Sequence, residues 1–169
     1  MIAPAENTDI PALVKLINSA YRGEGSRRGW TTEAGLVEGE LRTDDDSIRE
    51  LMSQPYGIIL KFIYNGALRG CVYLEKQEDK LYLGMLSVSP LLQTRGIGKK
   101  LLKAAEEYAL KQDCRSIIMQ VISLRHELIS WYERHGYLKN GETKEFPDDN
   151  KFGTPTQPLK FVVLEKKIK

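Results

Sequence analysis

The sequence predicts one mixed α/β domain over residues 1–169, a mixed, mostly antiparallel sheet with helices on both faces. Three observations predict this class. Apolar runs flank Asn65-Gly66, a dipeptide typical of tight hairpins. An apolar run at 81–88, a helical pattern and a second apolar run at 117–122 indicate a parallel strand–helix–strand unit. A length of 169 residues is also enough for one buried core.

The first half of the chain alternates between helical spacing and glycine-rich breaks. Apolar residues recur with helical spacing over 8–21, and Pro11 is tolerated in the first turn. Segment 22–34 breaks this pattern with several glycines and charged residues. A second helix is expected at about 33–42 and a short third helix at about 46–53.

Strands and two longer helices follow. They are predicted, in chain order, as strands at 58–64, 68–76 and 81–88, a helix at 97–112, a strand at 117–122, a helix at 125–135, and strands at 137–142 and 161–167.

Composition excludes several classes of protein. The net charge of +2 predicts no strong attraction to nucleic acid or acidic membranes. Cys71 and Cys114 lie in apolar segments, and neither they nor His126 and His135 have metal-ligand spacing, so no metal site is expected. The sequence shows no signal-peptide pattern and no run of 18 apolar residues, which predicts a cytoplasmic protein.

The turn Gln93-Thr94-Arg95-Gly96-Ile97-Gly98 joins the strand predicted at 81–88 to the helix predicted at 97–112. Its glycines allow close backbone approach or positive φ, and the first amides of the helix attract an anion. Arg95, Lys99 and Lys100 add positive charge at the same place. We therefore expect this turn to hold a phosphate or pyrophosphate.

Two nucleotide-binding motifs fail at this turn. The Walker A pattern requires glycine where Gln93 stands and a hydroxyl residue where Lys100 stands. The dinucleotide fingerprint requires a third glycine where Leu101 stands. Both motifs are thus absent, and a nucleotide-binding switch is disfavoured.

The pattern Gln-x-x-Gly-x-Gly after a strand resembles the coenzyme A loop of the GNAT superfamily of N-acetyltransferases. A second match is Trp131-Tyr132-Glu133-Arg134-His135-Gly136-Tyr137, which is similar to a segment at the end of that superfamily's last helix. The resemblance covers roughly residues 4–142. It implies a three-layer fold in which the strands at 81–88 and 117–122 are parallel and splay apart around the cofactor.

The resemblance also implies acetyl-CoA as the cofactor and assigns roles to residues. Backbone groups near Leu86 and Val88 would pair with the pantetheine arm, and the amide near Leu86 would polarise the thioester carbonyl. Tyr132 would protonate the leaving thiolate, with a core aromatic as the alternative role. The expected cofactor-binding residues are Leu86, Val88, Gln93, Thr94, Arg95, Gly96, Ile97, Gly98, Lys99, Lys100 and Arg125.

Arg125 departs from the family pattern, because many relatives carry an asparagine there that contacts the pantetheine. The departure puts that contact in doubt, but an arginine could reach a phosphate instead. Residues 81–88 contain no carboxylate to act as a general base. Glu33 and Glu38 are candidates for that role, with a solvated helix face as the alternative for both.

The acceptor is expected beside residues 22–42, where Trp30 would form a wall of the binding site or a lid over the core edge. The sequence thus predicts an acetyl-CoA-dependent N-acetyltransferase that acts on a primary amine by direct attack in a ternary complex. The alternative is a catalytically idle acyl-CoA-binding sensor or scaffold. The expected partner is an amine acceptor, either a small molecule or a peptide N-terminus, without nucleic acid or membrane. The protein would be a monomer or homodimer.

Overall fold

The computed structural model describes residues 1–147 and 149–169. Its strands are β1 (Ile2–Pro4), β2 (Val37–Glu38), β3 (Gly57–Tyr64), β4 (Ala67–Gln77), β5 (Lys80–Val88), β6 (Ser116–Ile122), β7 (Leu138–Glu145), β8 (Thr154–Pro155) and β9 (Lys160–Lys167). Its α-helices are α1 (Ile10–Tyr21), α2 (Gly23–Ser26), α3 (Asp45–Met52), α4 (Ile97–Lys111) and α5 (His126–Arg134).

Seven of these strands form one sheet in the order β1-β3-β4-β5-β6-β9-β7. Within it, β5 and β6 pair in parallel and the other neighbours pair antiparallel. Asn65 and Gly66 form the hairpin turn between β3 and β4, with φ values of +50° and +74°. The predicted mixed, mostly antiparallel sheet is therefore confirmed.

The sheet lies between two helical layers because the side chains of its central strands alternate between two cores. Val72 and Leu74 of β4 pack in the core that includes α4 and α5. Cys71 and Tyr73 of the same strand pack in the core that includes α1 and α3. This alternation is the two-residue period of a strand buried on both faces, and it confirms helices on both faces.

The parallel strands β5 and β6 separate soon after they begin. Their pairing runs from Lys80 opposite Ser116 to Tyr82 opposite Ile118. Farther along β5, Met85 has φ of +52° and lies in a bulge against β4. A bulge bends a strand and redirects its edge. The predicted splay is thus present, and it opens a cleft at the end of β5.

The prediction of a helix at 33–42 is wrong. Residues 34–36 form a turn, and Val37 and Glu38 form β2, which pairs with β8. Gly39 has φ of +126°, which a right-handed helix does not allow. Buried Val37 instead packs with Ile122 and Leu159, distant residues whose pairing the local pattern could not reveal.

The other expected helices and strands are present within a few residues of their predicted bounds, although β7 extends to Glu145. The short elements β1, β2, α2 and β8 were not expected. In the described parts of the chain, no helix is both long and apolar enough to cross a membrane.

Candidate active site

A cleft of about 530 Å³ opens where β5 and β6 separate, between the start of α4 and the face of α5. This volume lies within the range typical of small-molecule and cofactor sites. Its walls come from the 93–98 turn, the end of β5, helix α5 and the loop after α2. The lining residues include Tyr21, Trp30, Thr31, Leu86, Val88, Leu92, Gln93, Thr94, Gly96, Ile97, Gly98, Lys99, Leu128, Trp131, Tyr132 and His135.

The turn before α4 directs backbone amides into this cleft. Thr94 and Gly96 have φ values of +73° and +81°, so the chain curves tightly around the helix start. Gly96 is the N-cap and supplies no side-chain acceptor. The first intrahelical bond runs from the Lys100 amide to the Gly96 carbonyl, 3.1 Å away, and the amides of residues 97–99 precede it. Such a group of amides fits a phosphate or pyrophosphate.

The two glycines of the turn have different functions. Nothing lies within 4 Å of a Cβ added at Gly96, so a residue there would suffer only from the left-handed φ. A Cβ at Gly98 would lie 3.2 Å from the Trp131 ring. Gly98 therefore permits α4 to pack closely against α5 as well as exposing its amide to the cleft.

The three positive side chains at the turn differ in position. Lys99 lines the cleft, and its charge favours an anion there. Arg95 and Lys100 are exposed and absent from the cleft lining, and the Lys100 ammonium lies 5.8 Å from the Phe62 ring centroid.

The Gln93 side chain ties the loop after α2 to strand β5. Its Oε1 accepts from the backbone amides of Trp30 and Thr31, at 2.7 and 3.3 Å. Its Nε2 donates to Thr31 Oγ1 at 2.7 Å and to the Val88 carbonyl at 3.0 Å. The amide group is thus fully used in positioning two walls of the cleft, which differs from the expected role as a cofactor ligand.

The backbone of β5 presents amides to the cleft. The Ser89 amide donates to the Arg69 carbonyl at 2.8 Å, so Ser89 is paired with the neighbouring antiparallel chain. Backbone N–H and C=O groups point to alternate sides along a strand, so those of Leu86 and Val88 point away from β4. On that side, where β6 has separated, the Leu86 carbonyl accepts from Tyr21 Oη and the Val88 carbonyl accepts from Gln93 Nε2. The amides of Leu86 and Val88 therefore face the cleft, as the family resemblance implied.

Tyr132 lies on α5 at the base of the cleft. Its ring packs edge-on against Trp131 and Tyr137, with centroids 5.1 and 6.1 Å away. Burial raises the pKa of its phenol well above the usual value of 10. The hydroxyl therefore stays protonated across the physiological range, and its chemistry is that of a proton donor. Tyr132 is both a core aromatic and a lining residue of the cleft.

Two smaller cavities adjoin the cleft and share lining residues in series. A cavity of about 70 Å³ shares Tyr21, Leu86, Leu128 and Tyr132 with the large cleft. A third cavity, of about 220 Å³, shares Glu33, Arg42, Ile122 and Phe161 with that narrow one. Tyr132 and Leu86 therefore lie at the junction between a cofactor-sized cleft and the smaller cavities, which we call the distal cavities.

Glu33 is buried in the distal cavities and bridges two arginines. Its Oε1 lies 3.3 Å from Arg22 Nε, and its Oε2 lies 3.5 Å from Arg125. Arg22 also donates to the carbonyls of Leu41 and Phe152. The expectation of a solvated helix face is wrong for Glu33. Each of its two carboxylate oxygens is paired with a guanidinium group.

Arg125 does not extend toward the 93–98 turn. Its guanidinium donates to the Thr31 carbonyl, pairs with Glu33 and lies 5.9 Å from the Tyr21 ring centroid. It lines the narrow distal cavity and is absent from the lining of the large cleft. The suggestion that this arginine reaches a cofactor phosphate therefore conflicts with its position.

Trp30 and Glu38 both lie outside the distal cavities. Trp30 lines the large cleft, with its ring centroid 6.0 Å from that of Trp131, and packs against the edge of the core. Glu38 is exposed on β2 and lines none of the three cavities described above. Among the described residues, no cluster of potential metal ligands occurs.

Sequence reasoning missed Tyr21 and Arg42. Tyr21 belongs to the apolar face of α1, which made it look like an ordinary core residue. Its hydroxyl donates to the Leu86 carbonyl, and burial raises its pKa to about 12. Arg42 lies in a segment predicted to be helical, yet it lines both distal cavities. The one available signal was the position of Tyr21 immediately before a glycine-rich break.

Comparisons with known proteins agree with this geometry. The profile of the "Acetyltransferase (GNAT) family" matches residues 13–137. Over 79 residues the chain is 30% identical to N-alpha-acetyltransferase 30 of Dictyostelium discoideum, a match that covers 44% of this chain and 43% of that protein. This chain therefore matches less than half the length of that relative.

Two solved structures show the same fold. The ribosomal-protein-S18-alanine N-acetyltransferase of Escherichia coli superimposes with a TM-score of 0.74 at 15% identity, over 100% of this chain and 94% of that one. The structure of yncA from Salmonella typhimurium with its cofactor acetyl-CoA superimposes with a TM-score of 0.68 at 15% identity, over 100% of this chain and 94% of that one.

Proposed function

Because this chain belongs to the acetyltransferase (GNAT) family, we propose that it transfers an acetyl group from acetyl-CoA to a primary amine. The amine would attack directly in a ternary complex. Acetyl-CoA would supply the activated acetyl group, and a relative with this fold is known with that cofactor. The Thr94–Lys99 backbone and Lys99 would hold the pyrophosphate, while the amides of Leu86 and Val88 would pair with the pantetheine arm.

The observation that supports this proposal best is the position of Tyr132. Its side chain lies where the large cleft meets the distal cavities, on the wall that both share. A thioester entering from the cleft and an amine entering from the distal cavities would meet beside this hydroxyl and the Leu86 amide. Such proximity is what direct transfer requires.

The residues at the junction would then divide the proton transfers. As the new C–N bond forms and the C–S bond breaks, the Leu86 amide donates to the carbonyl oxygen of the acetyl group. Tyr132, which burial keeps protonated, would donate its proton to the departing sulfur when the two are aligned in the transition state. The Leu86 carbonyl is held by Tyr21, so this part of β5 is fixed in place.

Among the described residues that line the narrow cavity, the one carboxylate is Glu33, and it is engaged by Arg22 and Arg125. An acceptor that arrives partly unprotonated removes the need for a strong base. An α-amino group, with a pKa of about 8, meets this condition better than a lysine-like amine at about 10.4. We therefore favour an α-amino acceptor that loses its proton to water.

The test is release of free thiol from acetyl-CoA in the presence of amino acids, polyamines and short peptides with a free N-terminus. Mass spectrometry would identify the acetylated product. Calorimetric titration with coenzyme A, performed on the same preparation, distinguishes the enzyme from an idle binding domain. Binding of coenzyme A without thiol release for any amine would support the idle domain and refute the transferase.

A further inference from the structure

We propose that the acceptor amine carries a carboxylate and that Arg42 binds this carboxylate in the distal cavities. The inference rests on the proposed function and narrows it to one substrate class, free amino acids with an apolar side chain. Two observations support it: the distribution of charge around the distal cavities, and which of the arginines there are already paired with protein acceptors.

Among the residues that the structure describes, cationic side chains outnumber carboxylates around the distal cavities. The charged lining residues in this part of the chain are Arg22, Glu33, Arg42, Arg125, Asp149 and Lys151. Four of these six are positive and two are negative. Asp149 and Lys151 are exposed, Arg42 is half-buried, and Arg22, Arg125 and Glu33 are buried. Three arginines and one carboxylate thus line the described part away from the surface, which favours an anionic group in the ligand.

Arg22 and Arg125 are already committed to protein acceptors. Arg22 pairs with Glu33 and donates to two backbone carbonyls. Arg125 pairs with the same carboxylate and donates to the Thr31 carbonyl. Both side chains are buried, so these bonds set the shape of the site.

Arg42 is different. Among residues 1–147 and 149–169, no carboxylate lies within salt-bridge distance of its guanidinium and no side-chain hydrogen bond engages it. The guanidinium lies 5.9 Å from the centroid of the Tyr21 ring, the tyrosine whose hydroxyl bonds the Leu86 carbonyl. Its planar donors are thus available next to the reaction centre, and they match a carboxylate in two-pronged geometry.

The backbone of Arg42 is held rigidly. Asn18 Oδ1 on α1 accepts from the amides of Arg42 and Thr43, at 2.5 and 2.9 Å. Asn18 Nδ2 donates back to the Thr43 carbonyl at 3.2 Å. Asp44 then caps α3 by accepting from the Ser47 amide at 2.8 Å. These bonds fix the backbone from which the Arg42 side chain extends into the distal cavities.

The remaining walls suggest the size and character of the acceptor. The rings of Phe146 and Phe161 pack with centroids 5.4 Å apart beside the cavity of about 220 Å³, and Phe152 also lines it. An amine in the narrow cavity, a carboxylate on Arg42 and an apolar side chain against these rings describe an amino acid. A peptide N-terminus offers a neutral carbonyl where an amino acid offers the carboxylate, so it would leave Arg42 without a charged partner.

The experiment compares matched pairs of acceptors in the full chain. Thiol release is measured with L-phenylalanine and L-methionine, with their amides, and with a dipeptide of each. Rates are expressed per unprotonated amine, because amidation changes the basicity of the amine. We expect kcat/KM for the acids to exceed that for the amides by about 10–100-fold, the usual effect of a charge-assisted bond.

Three arginine variants complete the test. Arg42→Gln should reduce the acid preference to about threefold or less while leaving the KM of acetyl-CoA unchanged. Arg42→Lys should retain part of the preference, because it keeps the charge and loses the fork. Arg28→Gln, on an exposed arginine outside the three cavities, should behave as wild type. Thermal unfolding and coenzyme A titration would establish that each variant is folded.

Two results would overturn the inference while leaving the proposed function intact. One is efficient acetylation of amides or dipeptides with the acids left unused. The other is a folded Arg42→Gln variant that keeps the wild-type preference for acids. Failure of thiol release with every amine would instead overturn the proposed function, and the inference with it.

Discussion

Tyr132→Phe is the most direct test of the proposed chemistry, since it removes one oxygen atom at the junction of the cavities. The tyrosine is 5% exposed and its ring packs against Trp131 and Tyr137, contacts that phenylalanine retains. No described residue forms a hydrogen bond with its hydroxyl, so the free energy of unfolding should change by less than about 1 kcal/mol.

The catalytic effect should be larger. A hydrogen bond to a developing thiolate is charge-assisted and contributes about 1.5–3 kcal/mol. At about 1.4 kcal/mol for each factor of ten, kcat should fall by about 10–100-fold. The affinity for coenzyme A should change by less than about threefold, because the bond matters mainly in the transition state.

Burial also determines the pH dependence. Only the protonated phenol can donate, so its contribution would be lost as pH rises through its pKa. That pKa is raised well above 10 by burial, so wild type should show no loss of rate from Tyr132 up to about pH 10. The variant should be slower by the same factor throughout this range.

Tyr137→Phe is the matched control. Tyr137 is also a buried tyrosine of the same aromatic cluster, but it lines none of the three cavities. This change should leave kcat unaltered and change the free energy of unfolding by less than about 1 kcal/mol. A folded Tyr132→Phe enzyme as fast as wild type would refute the assignment of Tyr132 as the acid.

Three further predictions concern the cleft and the sheet. Gly98→Val should weaken coenzyme A binding by at least about tenfold in calorimetry. The new Cβ would lie 3.2 Å from Trp131, so Gly98→Ala should also weaken coenzyme A binding, but by less. Unchanged affinity in both folded variants would exclude the amides of the 93–98 turn as the pyrophosphate site. Trp30→Ala should raise the KM of acetyl-CoA more than that of the amine, since Trp30 lines the large cleft; the reverse order would place the acceptor there. The hydrogen bond from Ser116, together with those from Asn140 and Lys80, lowers the pKa of Glu165 to about 2. Its stabilisation of about 2–3 kcal/mol should be complete above about pH 4.5 and be lost toward pH 2, and denaturant titrations of Glu165→Gln should lack this acid limb.

Local sequence determined the elements that hold the proposed cofactor site. The Asn65-Gly66 turn, the strand ending at Val88 and the glycine turn before α4 depend on short-range backbone geometry, which residue type alone restricts. The parallel strand pair followed from a helix long enough to cross between two apolar runs. The family resemblance implied that the motif around Tyr132 lies at the end of the last helix, and Tyr132 lies in α5.

Tertiary structure decided the distal side of the site. Glu33 meets Arg125 across 92 positions of the chain, and Val37 pairs with Pro155 across 118, so neither contact has a signal in local periodicity. Segment 33–42 has apolar residues at helical intervals, which gives it a weak helical propensity. Gly39 nevertheless adopts φ of +126°, and the burial of Val37 against Ile122 outweighs that propensity. The direction of an arginine side chain depends on which distant carboxylates and carbonyls the fold brings beside it, and so does the pairing of its charge. The position of Arg125 beside Glu33 and Thr31, and of Arg42 in the distal cavities, could therefore not be predicted from the sequence.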